Sequence, residues 1–570
     1  MRLNIVKSKN AEQLYIIKSF RKPDGKSTTR IVVKLGTMQE RLPEHDYSRD
    51  KVIAWAKEEA RKYTEQEKEG TLEVPILFSE KKQLQSGQRT TFDGGYLFLQ
   101  KVFYDLGIDK TCQRIQKKYR FQSDLGEILR NLVYARILDP GSKRSSLEYA
   151  RGLLETPTYE LHDIYRALDI LQKESSFIQA SLYNGNRKMH DTSVLYYDCT
   201  NFFFEMEEAN GICQYGKSKE NRPNPIVQMG LFMDGNGLPL ALSVFPGNHN
   251  EQPSLVPLEK QILTDFNLSK FIVCTDAGLA SQANRRFNNR NQRSYVVTQS
   301  LKRMKTYLKE WALDPSGWRK LNDDKEYSLD TLDEEKHLND LFFKERWINE
   351  NEIEQRLIVS YSPKYKQYQR SIRSKQIDRA LKIIDKGSKG ETRNPHDPKR
   401  FIEEQQMTMD GVLAEKKVKT LNSEKIAEEE CYDGFYAVCT TLEDDIETIL
   451  RINKRRWEIE ESFRIMKSEF HSRPVYLRRE ERIKAHFLTC FIALLVYRVL
   501  ETKLGEDISA RKLISTMKEM KYRRVEGLGY IPCYTRNHVT DALHAACGFR
   551  TDAEFISNKR MKNILKATKR

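Results

Sequence analysis

The pattern of apolar and polar positions divides the chain into stretches of different texture. Near the N-terminus, residues 14–20 and 28–35 read as strands, and Lys22-Pro23-Asp24-Gly25 has turn chemistry between them, so a hairpin is expected. Its basic residues Lys18, Arg21, Lys22, Lys26, Arg30 and Lys34 suit contact with a DNA backbone and the solvated face of a small sheet equally well. Residues 50–68 read as a charged helix and 85–91 as a polar linker. From residue 94 to about 189 the period is helical, clearest at 97–106, 125–137 and 164–171. Pro140-Gly141-Ser142 breaks that run, and Lys143 and Arg144 follow.

The texture changes at residue 193. Residues 194–198 form a short apolar strand ending in Asp198. Residues 227–233 and 238–245 are strands joined by Asp234-Gly235-Asn236-Gly237, a strong hairpin signal. A helix at 255–263, a strand at 271–276 ending in Asp276, a helix at 280–290 and a strand at 295–298 follow. Three strands, helix, strand, helix, strand predict a mixed sheet with helices on its faces. Residues 301–430 interrupt this order. Their segment 321–360 has a net charge of −7, and segment 361–400 has +8 and contains GSKGETRNPHDPKR, which cannot be core. Residues 434–441 are strand-like again, one long helix is expected over 445–470, and an apolar helix over about 483–500.

Composition narrows the partners. The 570 residues carry 97 Lys+Arg against 81 Asp+Glu, a net charge of +16, with a pI near 9.1. That surplus favours a polyanion, either nucleic acid or an anionic membrane surface, without choosing between them. A spanning helix needs about 20 apolar residues. The best run here, 487–497, is bracketed by His486 and Arg498 and reads as a buried core helix. The N-terminal MRLNIVKSKN has no long apolar segment, so no signal peptide is expected. Nine scattered cysteines with no Cys-x-x-Cys argue against a disulfide framework or structural zinc and for a reducing, cytoplasmic compartment.

Three acids stand out by position. Asp198 and Asp276 end strands of the mixed sheet, where side chains project at an edge. Glu460 lies on the helix after the interruption. Carboxylates suit the divalent cations that phosphodiester chemistry uses in pairs about 3.5–4 Å apart. On that helix Arg456, Glu460 and Lys467 follow at spacings of four and seven and share one stripe. Ile459, Phe463 and Met466 form the adjacent apolar stripe that should dock it. A salt-bridged, solvated helix face has the same pattern. Lys217, Lys219 and Arg222 could meet DNA, although a polar loop explains them as well. His249 sits in a turn. Trp311, Trp318 and Trp347 lie in the interruption, where packing its own small core is the simpler role than stacking on a base.

The segment RRWEIEESFRIMKSEF resembles the Tyr-Arg-Glu-Lys signature, Y-x2-R-x3-E-x6-K, of bacterial insertion-sequence transposases of the DDE class. Arg456, Glu460 and Lys467 match it, and Asn453 stands at the tyrosine position. VLYYDCTNFFFE and FIVCTDAGLAS resemble that family's two aspartate motifs, and GKSKENRPNPIVQMGLFMDGNGLPLALSVFPGNHNE its intervening hairpin region. The resemblance implies an α/β catalytic core, a ribonuclease-H-like mixed sheet with flanking helices, interrupted by an insertion and preceded by a β-hairpin module and a helical DNA-binding module. The implied boundaries are 1–90 for the hairpin plus helix, 91–190 for the helical module, 191–300 with 431–500 for the core, 301–430 for the insertion and 501–570 for a basic helical tail.

It implies further that Asp198, Asp276 and Glu460 hold two Mg²⁺ or Mn²⁺ ions, and that Asn453, Arg456 and Lys467 contact DNA phosphates. Double-stranded DNA, both element ends and target, is the implied partner, with a homodimer in the synaptic complex. The implied setting is the bacterial cytoplasm, at the nucleoid when DNA is bound. The rival expectations are a metal-dependent endonuclease without strand transfer and a non-catalytic DNA-binding derivative.

Overall fold

The computed structural model describes residues 1–8, 11–21, 27–68, 81, 83–206, 208–321, 323–385, 397–407, 413–473, 475–505 and 507–570. The Lys22-Pro23-Asp24-Gly25 turn, Lys26 and most of GSKGETRNPHDPKR lie outside the described residues. The chain forms two compact units, residues 1–88 and 89–570.

In the first unit the expected pair of strands, Glu12–Arg21 and Ser27–Thr37, gains a third, Arg2–Lys7, in an antiparallel sheet. Leu14 and Ile16 lie on one face of the middle strand, and Val52, Ala56 and Ala60 recur every fourth residue along the helix Arg49–Lys68. With Leu35 and Met38 they form a small core.

The second unit is built on a ten-stranded sheet. From one edge the strands run Asp323–Tyr327, Trp318–Lys320, Phe342–Glu350, Ile353–Tyr361, Phe435–Thr440, Ser294–Gln299, Ile272–Thr275, Val194–Phe203, Ile226–Met233 and Pro239–Pro246. The first three strands of this unit's sheet in chain order, starting at Val194, pair antiparallel as a meander. The strand Ile272–Thr275 then pairs parallel with Val194–Phe203, and Ser294–Gln299 parallel with Ile272–Thr275. This mixed sheet with flanking helices fits a ribonuclease-H-like core. Gly237, at φ +76°, closes the turn between the meander's second and third strands in a backbone region that L side chains rarely adopt.

Four features differ from the sequence reading. First, residues 301–430 do not pack only on themselves. The strand Phe435–Thr440 pairs with Ser294–Gln299 on one side and Ile353–Tyr361 on the other, so the inserted strands extend the core sheet. Trp318, fully buried, packs in one cluster with Tyr295 and Val297 of the core. Second, the strand bearing Asp198 continues to Phe203, held by its antiparallel partner after the parallel pairing stops. Third, the long helix is two helices, Ile446–Lys454 and Trp457–Ser468. Between them the N–H groups of Arg456, Glu458 and Ile459 donate to the carbonyls three residues back, a tightened 3₁₀-like turn without proline or glycine. Fourth, the tail contains strands. Lys521–Val525, Gly529–Pro532 and Ile556–Ser557 form a four-stranded sheet with Thr91–Asp93.

The helix Glu480–Leu504 is long and apolar enough by composition to cross a membrane, yet 89% of its most apolar window is buried inside the protein. It packs against the helices Leu161–Lys173, Leu125–Leu138 and Tyr96–Asp105 and the strand Pro239–Pro246. The helical module therefore shares its main core with the catalytic sheet. A buried ion pair fixes the other end. Arg373, on the helix Pro363–Asp385, grips Asp433 with both terminal nitrogens, one at 2.8 Å, just before the strand Phe435–Thr440.

Removing one partner of such a pair strands a buried charge, so Asp433→Ala should cost about 3–5 kcal/mol. The double change Arg373→Met with Asp433→Leu should cost less than Asp433→Ala alone. Denaturant unfolding of the two variants checks this, and equal or larger loss in the double variant would contradict it.

Candidate active site

Strand pairing sets the centre of the site. Tyr196 is registered against Cys274 across two parallel strands. Asp198 and Asp276 each follow that registered pair by two residues. Adjacent strands lie about 4.8 Å apart, so the two carboxylates emerge side by side where the parallel ladder ends. Asp198 is only 9% exposed, and its Oδ1 accepts from the Cys199 N–H at 2.7 Å. Asp276 Oδ1 accepts from the Leu279 N–H at 3.0 Å, which holds the turn after its strand. Burial pushes the Asp198 carboxyl up to about 6. Nearby Lys219 works against that rise, and the neighbouring Asp276 adds to it.

The helix Trp457–Ser468 supplies the third acid. Its buried face, Ile459, Phe463, Ile465 and Met466, docks as the apolar stripe predicts. Arg456 stands at its N-terminus with Nη2 3.4 Å from Glu460 Oε1. Burial lowers the guanidinium's proton affinity, but Tyr436, Glu460, Asp198 and Asp276 together raise it. Arg456 is thus the cation that all three acids share, and its Nε is buried without a partner. Lys467 is 15% exposed, 3.5 Å from Glu220 Oε1, with its ammonium over the Phe202 ring. Burial, then Lys219, bring it down to about 8, against the pull of Asp198.

Asn453 lies on the first of the two helices, Ile446–Lys454. Asn453 is 8% exposed, its Nδ2 donates to the Tyr436 hydroxyl at 3.1 Å, and its Oδ1 accepts from Thr298 at 3.4 Å. Both ends of the amide are engaged inside the protein.

Other residues enter the site without a marked signal in the sequence. Lys219 bonds the Cys199 carbonyl and lies 3.3 Å from Glu251. Arg473 pairs with Glu220 and stacks on Phe203. Lys219 was visible only as one basic residue in a polar loop, and Glu251, Glu220 and Tyr436 had no local signal. Lys217 and His249 line a neighbouring cavity of about 540 Å³. Arg222 stacks on Phe203. Of the tryptophans, Trp318 is core, Trp311 packs beside it under Lys344 and Arg346, and Trp347 is 47% exposed.

The donor set fits hard divalent cations. Asp198, Asp276 and Glu460 offer only oxygen, and the two aspartates are close enough for Asp276 to raise the Asp198 carboxyl. Among the described residues, the ligand atoms of Asp198, Asp276 and Glu460 do not close to within 4.8 Å of one another, and Asp541, His544 and Asp552 form the one group of three metal-ligating side chains that does. There Arg536 and Arg550 already neutralise the acids, and Asp552 is held down to about 2, chiefly by Arg550.

A family model described as a transposase DDE domain matches residues 207–496, just over half of the chain. The match contains Asp276, Arg456, Glu460 and Lys467 and begins after Asp198, whose place rests on strand register. No curated protein matches. Among solved structures, the piggyBac transposase synaptic complex with hairpin DNA is 8% identical, with 83% of this chain and 85% of that chain covered, at a TM-score of 0.35. The Mos1 transposase paired-end complex with the left transposon end is 14% identical, with 40% of this chain and 63% of that chain covered, at a TM-score of 0.13.

The geometry separates Lys467 from Asn453. Lys467→Ala should weaken binding of duplex DNA about tenfold at 0.1 M salt, as expected for one lost phosphate contact. Asn453→Ala should leave binding within about twofold and cost about 1 kcal/mol of stability from its internal hydrogen bonds. Fluorescence anisotropy and thermal unfolding of both variants check this, and the reverse ranking would return Asn453 to the DNA interface.

Proposed function

The chain belongs to the transposase DDE domain family, enzymes that cleave and join DNA, and from this premise we propose that it binds the ends of its own mobile element, cuts phosphodiester bonds there and joins the 3′ ends to target DNA. The observation that carries this reading is that Asp198 and Asp276 each lie two residues beyond Tyr196–Cys274, the last registered pair of adjacent parallel strands, with Arg456 linking them electrostatically to Glu460.

In this reading Asp198, Asp276 and Glu460 hold two divalent cations, Mg²⁺ or Mn²⁺. Bound there, such ions lower the pKa of the attacking hydroxyl and neutralise charge on the leaving oxygen. The protein's own groups do the rest. Lys219 favours the ionised form of Asp198 against its burial. Arg456 lies 3.4 Å from Glu460, and its unpartnered Nε and forked geometry suit a phosphate oxygen. Lys467 is charged only in part near pH 8, and a phosphate beside it would favour the protonated, gripping form. The buried sheet end behind Asp198 keeps solvent from the carboxylates on that side.

The assembly we propose is a synaptic homodimer. One such site faces one scissile phosphate at a time, two ends must join one target, and closed twofold symmetry is the commonest way to pair two copies. Cleavage without joining is the competing outcome, because an endonuclease needs the same carboxylates.

Glu460→Gln keeps size and hydrogen bonding and removes charge. It should reduce cleavage of the DNA flanking the protein's own gene by at least about 100-fold in Mg²⁺, with duplex binding retained. The parent protein, given a pre-cleaved end and target DNA, should yield joined product. Cleavage by the variant near the parental rate would remove Glu460 from the mechanism, and cutting without joining would leave a nuclease.

A further inference from the structure

A cationic pocket lies away from the three carboxylates, between the helical module and the segment that follows the catalytic helix. It is a cavity of about 60 Å³ lined by Arg136, Lys143, Arg144, Tyr165, Tyr476 and His486, among others. Arg136, Lys143 and His486 are 4%, 5% and 4% exposed. Among the described residues, no carboxylate is within ion-pairing distance of Arg136 or Lys143. Arg136 donates through its terminal nitrogens to the carbonyls of Phe470, His471 and Gly141 at 3.1, 3.2 and 3.0 Å, and its Nε is buried with no partner. The Lys143 ammonium has one neighbour of hydrogen-bonding type, His486 Nδ1 at 3.4 Å. On its other side the His486 ring lies 3.3 Å from the Ser472 carbonyl and 3.7 Å from Cys490 Sγ.

This is an unusual arrangement energetically. Burying a charge is tolerated when a counter-charge or a full set of hydrogen bonds accompanies it. Arg136 has a structural task, pinning the chain just after the catalytic helix. Lys143 has no comparable task, and an apolar residue of its length would fill the space at lower cost. Burial and the neighbouring Arg136 bring Lys143 down to about 7, and burial with Lys143 and Arg136 holds His486 well below the ordinary histidine range. Lys143 also opens the helix Lys143–Ala150, whose cap Ser142 accepts from the Ser145 N–H at 3.1 Å. The first-turn N–H groups of a helix have no partner within the helix and favour an anion.

We propose that the pocket of Arg136, Lys143 and His486 is an anion site that takes one backbone phosphate of the bound DNA. The choice of DNA follows from where the pocket sits. The segment 471–477 leaves the catalytic helix just beyond Lys467 and carries Arg473, beside Phe203 of the Asp198 strand. His471 and Ser472 then bond Arg136 and His486, and Val475–Leu477 line the pocket. Positive groups therefore continue along one stretch of chain from the site that cuts DNA into this cavity. Tyr476, 66% exposed, and exposed Arg144 stand at its mouth, where a sugar and the next phosphate would lie.

The proposal rests on the reading that this protein engages DNA, and its test separates the two. Full-length parent and Lys143→Met are compared in binding a fluorescent duplex carrying the DNA that flanks the gene, across a salt series, with Mg²⁺-dependent cleavage by the parent as the control for function. The variant is expected to bind about tenfold more weakly at 0.1 M salt, with the slope of log K against log salt shallower by about one. Its own Tm should be at or above the parent's, since a buried unpaired charge is gone. Inorganic phosphate should raise the parent's Tm and leave the variant's unchanged. Parental affinity and slope in Lys143→Met would overturn the proposal. The same result with a Lys143-dependent phosphate effect would assign the pocket to a free phosphate instead. If Lys143→Met does not fold, Lys143→Arg should retain the binding and salt slope, and the absence of any phosphate effect on the parent's Tm would then overturn the site.

Discussion

The short parallel ladder between Val194–Phe203 and Ile272–Thr275 is the constraint on which the site depends. Only three registered pairs make it, ending at Tyr196 and Cys274. A slip of one residue would send Asp276 to the opposite face from Asp198, because side chains alternate along a strand. Both faces of these strands are buried, with Leu195, Tyr197 and Val273 in one cluster and Val194, Tyr196 and Cys274 in another, so a slip would disrupt packing on both sides. The same packing that fixes the register also buries Asp198, which is why its carboxyl resists ionisation and why cationic groups gather around it. Stability and chemistry here come from one arrangement of strands.

The surrounding charges divide into two kinds. Arg456, Lys219 and Lys467 lie among carboxylates and are balanced by them. Arg136 and Lys143 lie among carbonyls, an imidazole and apolar side chains, with no carboxylate to balance them among the described residues. A polyanion crossing this face would meet the first kind in competition with the protein's own acids and the second kind without competition. The two sets are connected by the short segment after the catalytic helix, so movement of one would be felt by the other.

The three candidate acids were legible as candidates because each has a local signature. Asp198 and Asp276 close apolar strand segments, and Glu460 stands at helical spacing from Arg456 and Lys467. The meander, with its Asp-Gly-Asn-Gly turn, was legible for the same reason. What was hidden depended on contacts distant in sequence or on backbone detail with no marker residue. The break at Arg455–Arg456 has neither proline nor glycine, so one continuous helix was the reasonable expectation, and with it an exposed Asn453. The inserted strands gave no sign that they would join the core sheet, because edge pairing through Phe435–Thr440 is decided by the fold and not by the segment's own pattern. Lys143 read as an ordinary basic residue after a turn. Its burial follows from His486, which is 343 positions away.

The strand Phe435–Thr440 has a consequence for the order in which this protein is made. It fills the gap between Ser294–Gln299 and Ile353–Tyr361, and the helix carrying Glu460 follows it closely. A nascent chain can bring Asp198 beside Asp276 once about 300 residues have emerged. The third carboxylate arrives only after the whole insertion has been synthesised and the strand that follows it, Phe435–Thr440, has slotted into the middle of the sheet. Residues then leave the ribosome at roughly 5–20 per second. For a measurable interval the chain holds two acids and lacks the third, so the capacity to cut DNA is withheld until the sheet is complete.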